Sequence, residues 1–175
     1  MPTILSHPAV PLAIGLGLGS QVISRRLLLA GVAASIVPDV DVYLEQITSS
    51  IGHRGHTHTL LFALLGAACA AAIARFLQAP PLTAFWFIAL AAASHGLLDA
   101  FTTGGGGISF FWPLTDQTYF MPWRVIEVSP MGVRPFFSAR GITVILSELK
   151  WIWLPAAMFA LALFALRRSG AAAAH

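Results

Sequence analysis

The sequence predicts an all-α fold, a polytopic membrane bundle of about five helices. Three observations predict it. Of 175 residues, 57% are hydrophobic and only 10% are charged, whereas a soluble domain carries about 25% charged residues. Apolar runs recur at about residues 8–23, 26–38, 57–78, 82–101 and 142–166, each bounded by polar or turn-forming residues. The polar remainder is gathered rather than scattered. Pro38-Asp39-Val40-Asp41, His53-Arg54-Gly55-His56-Thr57-His58 and His95-Gly96-Leu97-Leu98-Asp99 hold more than half of the histidines and acids, which places a polar site near one membrane face.

Crossing hydrocarbon as a helix takes about 20 residues, so the last three runs qualify as spans. The first two are short and read as a thin hairpin or re-entrant pair, with Gly15, Gly17 and Gly19 allowing close packing. Met1–Gly19 lacks a basic leader, so the first apolar run is expected to be retained as structure. Pro80-Pro81 breaks the third run from the fourth. The stretch 102–141 is the extensive non-helical region, with a tetraglycine at Gly104–Gly107 followed by Phe110, Phe111, Trp112, Tyr119, Phe120 and Trp123. Aromatics at this density suit a membrane interface or the surroundings of an apolar substrate. Residues 1–168 read as a single membrane-embedded domain and 169–175 as a flexible tail.

Alternating crossings bring His7, Asp39, Asp41, His58, His95 and Asp99 to one face. The opposite face receives Arg25, Arg26, Arg75, Arg167 and Arg168 and no acid. Because short cytoplasmic loops are enriched in basic residues, the arginine face is expected to be cytoplasmic and the polar site extracytoplasmic.

Other classes are disfavoured. The single cysteine, Cys69, excludes an internal disulfide and a cysteine-rich metal site. A formal charge of +3, without a basic stripe, offers no nucleic-acid footprint.

Imidazoles and carboxylates near hydrocarbon need a compensating partner. Neutral histidine and ionised aspartate together are the nitrogen and oxygen ligands of zinc-type sites. His95 and Asp99, spaced i,i+4 on a helix, share one face and can clasp one ion. Asp39 and Asp41 follow a helix-ending proline; one can bridge two ions while the other orients a ligand histidine or takes a proton. His53 and His58 are stronger ligand candidates than His56, which is expected to face solvent. Arg54, just before a helix N-terminus, is the candidate for stabilising an oxyanion. His7 joins the set because the topology delivers it to the same face.

The ordered motifs His7, PDVD at 38–41, HRGHTHT at 53–59 and HGLLDAFTTGG at 95–105 resemble the LexA-regulated, inner-membrane-associated metal-dependent hydrolases. WPLTDQTYFMPWRVIEVSP at 112–130 and SELKWIWLP at 147–155 extend the resemblance over nearly the whole chain. The resemblance implies a ligand set of His7, Asp39, Asp41, His53, His58, His95 and Asp99, with Arg54 and Thr102 beside them. It also implies an inner-membrane location.

These readings converge on a membrane-embedded, metal-dependent hydrolase with one or two divalent ions, zinc first and manganese or magnesium as alternatives. Six or seven ligands exceed the four usual at one zinc, which favours two ions. Arg54 and Asp41 are the expected catalytic residues. The expected substrate is a phosphoester of a lipid or lipid-linked molecule within the bilayer, cleaved by activated water. A metal transporter, with ligands at the bilayer midplane, is the alternative, as is a metal-binding protein without hydrolytic activity.

Overall fold

The structure, a computed structural model, describes residues 1–41, 56–130 and 133–172. It is all-helical: among the described residues there is no strand, only isolated bridges between Thr102 and Ile126 and between Ile108 and Tyr119.

Helix α1 (Ala9–Leu18) tolerates Pro11 because the first-turn amides lack intrahelical acceptors. It stops at Gly19, whose φ of 78° suits a residue without Cβ. Helix α2 (Arg25–Ala34) starts at Ser24, whose side chain accepts the Leu27 amide at 3.1 Å. A 3₁₀ turn, Val37–Val40, follows and carries Asp39. Helix α3 (Leu60–Ala72) is capped by Thr59, which accepts the Phe62 amide at 3.0 Å. Helix α4 (Pro81–Ala100) begins on a proline at its first position, where the missing amide costs nothing.

After a single turn, α5 (Val133–Phe136), helix α6 (Ala139–Glu148) runs through a π-helical turn (Leu149–Trp153) into α7 (Leu154–Ala172). The fifth apolar run is thus helical from Ala139, three residues before its apolar pattern starts.

Helix α3 packs along α4, α1 along α7, and α2 against α4. Leu27, Ala67, Ala84 and Phe87 lie at the heart of the core. Gly15 lets α1 pack closely on α2, as the sequence predicts, whereas Gly17 faces α7 instead. A Cβ at Gly15 would lie 2.5 Å from Leu28 of α2, and one at Gly17 would lie 2.7 Å from Leu163 of α7.

Among the described residues, two helical stretches rather than three are long and apolar enough to cross a membrane: Pro81–Ala100 and the 32-residue Ala139–Gly170. The run 57–78 falls short because its α-helix ends at Ala72. Beyond it the backbone tightens: Phe76 N bonds Ile73 O at 2.9 Å and Gln78 takes a φ of 54°. Helix α4 rises about 30 Å and the α6–α7 rod about 48 Å at 1.5 Å per residue, against a hydrocarbon core of about 30 Å.

The two ends of the bundle differ in chemistry. At one end Arg26 donates to Phe76 O and Arg167 to Leu18 O, both at 3.0 Å, while Ser24 donates to Leu77 O. These bonds tie the end of α7 to the end of α1, and the start of α2 to the 73–79 turn. Arg25, Arg75 and Arg168 belong to the same segments. The opposite helix ends bear the histidines and aspartates.

Candidate metal centre

Four chain segments deliver the site. Helix α4 presents His95 and Asp99 in its last turns, with His95 Nε2 3.9 Å from Asp99 Oδ2 across the i,i+4 spacing. Thr102 closes that helix, its hydroxyl donating to Asp99 O at 2.7 Å and to Gly104 O at 3.1 Å. Thr102 is therefore fully buried beside the ligand segment through its backbone contacts. The 3₁₀ turn after α2 brings Asp39, and the 3₁₀ turn His56–His58 before α3 brings His58. The N-terminal segment brings His7, whose ring stacks on His95 with centroids 3.8 Å apart and planes at 19°. His7, Asp39, Asp41, His58, His95 and Asp99 are all buried.

The donor atoms converge. His7 Nε2 lies 3.5 Å from Asp39 Oδ2 and 3.9 Å from Asp99 Oδ1. His95 Nε2 lies 3.5 Å from Asp39 Oδ1, and His58 Nε2 lies 3.4 Å from Asp99 Oδ2. Two sets, His7–His95–Asp99 and Asp39–His58–His95, each place their ligand atoms within 4.8 Å of one another. Four ligands at about 2.0–2.1 Å from a tetrahedral ion stand about 3.3 Å apart, close to these separations.

The tautomers follow from the neighbours. His95 Nδ1 meets Ser35 O at 2.8 Å; a carbonyl only accepts, so Nδ1 carries the hydrogen. His58 Nδ1 sits 3.2 Å from Asp41 Oδ2 and 3.0 Å from Thr57 Oγ1. Thr57 donates its own hydrogen to Asp41 Oδ2 at 2.7 Å, so Nδ1 of His58 is again the donor. In their neutral forms both rings then direct Nε2 lone pairs at each other across 3.0 Å. Only a cation or a shared proton reconciles two lone pairs at that distance. The donor set therefore fits a divalent metal.

The electrostatics agree. Burial alone pushes the His58 imidazole down, but its hydrogen bonds to the Asp41 and Asp99 carboxylates outweigh burial and hold its pKa above the ordinary 6.5. The site attracts positive charge.

The residues singled out from sequence fare differently. His7, Asp39, His58, His95 and Asp99 come together as donors. Asp41 is beside them but against Nδ1 of His58, where a carboxylate orients a metal-binding ring. His53 and Arg54 lie outside the described residues. His56 is exposed, with its ring 4.1 Å from that of Trp112.

Three supports were not singled out from sequence: the Ser35 carbonyl, Thr57 and Glu148. Glu148 is buried and accepts from Thr3 Oγ1 and Ser6 Oγ, both at 2.7 Å, and from Thr3 N. It thereby fixes the segment that carries His7. Its signal in the sequence is a carboxylate within a long apolar helix, which is costly unless satisfied.

Comparison with known proteins places this chain in a family. A family model described as YdjM inner membrane protein matches residues 1–172. Inner membrane protein YbcI of Escherichia coli (strain K12) is 43% identical over 160 residues, covering 89% of this chain and 92% of that protein. No solved structure matches the chain. The chain belongs to the YdjM inner membrane protein family.

Proposed function

We propose that this member of an inner-membrane family is a multi-pass, metal-dependent hydrolase that cleaves a phosphoester of a lipid or lipid-linked substrate. One observation carries the reading: five buried side chains from four distant segments bring neighbouring nitrogen and oxygen donors to 3.0–3.5 Å of one another where helices end. His7, His58, His95, Asp39 and Asp99 would hold the ion, zinc first and manganese or magnesium otherwise. A divalent cation in that position supplies Lewis acidity and activates water near neutral pH.

The chain's own groups do the rest. Asp41 and Thr57 hold the Nδ1 proton of His58, and Ser35 O holds that of His95, so both rings keep their metal-binding tautomer. Asp41 therefore acts on the reaction through His58, by fixing that ring's orientation and raising its basicity. Arg54 is assigned the developing negative charge on the phosphoryl oxygens.

A lipid substrate fits the surroundings. An open apolar groove of about 520 Å³ runs between α1 and α7, lined by Ala9, Leu12, Leu16, Trp153, Ala157 and Phe164. It begins two residues beyond His7, so an acyl chain lying there would bring its ester end to the ligands. The arginine end suits the cytoplasmic face, which assigns the ligand end to the periplasmic side. The position of His95 and Asp99 at the end of α4 favours an enzyme over a transporter, whose ligands belong near the midplane.

The test is release of phosphate or a head group from phospholipid by the purified protein, lost in His95→Ala and Asp99→Ala. Turnover equal to wild type in both variants would overturn the reading. Metal uptake into proteoliposomes without hydrolysis would establish the transporter instead.

A further inference from the structure

The two aspartates at the centre share a pattern. Asp39 turns Oδ2 toward His7 (3.5 Å) and Oδ1 toward His95 (3.5 Å). Asp99 turns Oδ1 toward His7 (3.9 Å) and Oδ2 toward His58 and His95 (3.4 and 3.9 Å). Each carboxylate thus faces His7 with one oxygen and the His58–His95 pair with the other. His58 and His95 converge on one point, their Nε2 atoms 3.0 Å apart. The His7 ring lies stacked on the His95 ring and brings its own Nε2 to the other oxygen of each aspartate. Carboxylates shared in this way suit paired metals, which in hydrolytic centres are separated by about 3.5–4 Å.

We propose that the cluster is a dinuclear centre in which Asp39 and Asp99 both bridge, with one cation on His7 and the other on His58 and His95. This rests on reading the cluster as a metal site. An imidazole Nε2 has one lone pair and serves one ion, so the two ligand sets that share His95 are not two complete and independent sites. A single ion would leave several donors unused, since zinc takes four. Two ions bridged by the aspartates use every donor atom.

The two positions are unequal. The His58–His95 position takes two nitrogens and two carboxylate oxygens, a filled tetrahedron of the structural kind. The His7 position takes one nitrogen and two oxygens and keeps a place for water or a substrate oxygen, as catalytic sites do. Two dications against the carboxylates of Asp39, Asp41 and Asp99 leave a positive surplus, which suits an anionic phosphoester. His7 directly follows Ser6, whose side chain, like that of Thr3, is held by Glu148, so the open position is the one that this anchor controls.

The experiment uses the full chain, purified in detergent, stripped with chelator, reloaded with Mn²⁺ and freed of excess. Metal per chain is measured by elemental analysis and the spin state by low-temperature electron paramagnetic resonance. The expected result is two manganese ions per chain with an exchange-coupled spectrum replacing the hyperfine pattern of isolated ions. His7→Ala should keep one ion, with the isolated pattern.

One ion per chain in the wild type, or two ions with uncoupled spectra, would overturn the dinuclear proposal while leaving a metal site in place. No bound metal after the same reloading with Zn²⁺ as well as Mn²⁺ would remove both readings. The wild-type spectrum decides even if His7→Ala fails to fold.

Discussion

Glu148 accepts a hydrogen bond from the Ser6 hydroxyl at 2.7 Å across 142 positions of sequence. With the Thr3 contacts, it anchors the N-terminal segment to the start of the π-helical turn, and His7 follows directly from that anchor. Glu148→Ala leaves three buried donors unsatisfied, at about 1–3 kcal/mol for each group left without an acceptor. The expected outcome is a lowered unfolding midpoint together with loss of the His7-side metal. Glu148→Gln, which keeps an acceptor oxygen, should recover part of both. Wild-type metal content in Glu148→Ala would remove the anchoring role.

The Asp41 carboxylate acts on His58 from the side opposite its Nε2. Asp41→Asn should therefore weaken metal binding by about 10–100-fold rather than abolish it, the usual effect of losing a carboxylate behind a ligand histidine. Asp99→Ala, which removes a ligand outright, should lose far more. Competition against a chromophoric chelator measures both, and equal losses in the two variants would place Asp41 among the direct ligands.

The raised His58 pKa fixes the sign of a pH dependence in chelator-stripped protein. The folded state holds the His58 proton more tightly than the unfolded chain, whose value is 6.5. That stabilisation is complete below 6.5 and disappears as pH rises through the higher folded pKa. Thermal unfolding midpoints of stripped protein should therefore fall over that window, and Asp41→Asn should flatten the slope. Metal competes with the same proton, so metal affinity should rise over the window in which the stripped protein weakens.

Gly96 sits between the ligand His95 and the chain before α3. A Cβ there would lie 3.0 Å from His58 O and 3.3 Å from the Phe110 ring. Gly96→Ala should push the His58 turn away from α4, costing about 1–3 kcal/mol by overpacking and lowering metal affinity. Stability unchanged in denaturant titration would show that the turn can yield without strain.

The polarity of the bundle predicts labelling. In a Cys69→Ala background, Gln117→Cys beside the site end and Ser169→Cys at the arginine end place single thiols at exposed positions. A membrane-impermeant maleimide added to intact spheroplasts should label Gln117→Cys, and should label Ser169→Cys only after permeabilisation. The reverse pattern would turn the protein over in the membrane.

Much of this was legible in the order of residues. The all-helical class follows from runs of apolar residues, because hydrophobic content and period act locally. The i,i+4 pairing of His95 and Asp99 follows from helix geometry alone. Gathering His7, Asp39 and His58 at the same end follows from counting helices, since each traverse reverses the chain. The length of α3 was not legible: Arg75 and Gln78 stand among Ile73, Phe76 and Leu77 and mark no single stopping point, and the turn through Gln78 is held from α2, where Ser24 and Arg26 donate to Leu77 O and Phe76 O.

The site shows the same division. Which residue types could bind metal is chemistry, and chemistry is written in the side chains themselves. Which oxygen of Asp39 faces which histidine, which nitrogen of His58 meets Asp41, and why Glu148 lies buried in an apolar helix are matters of position. They depend on contacts between segments far apart in the chain, Ser6 with Glu148 across 142 positions among them, and no local pattern encodes a contact of that kind.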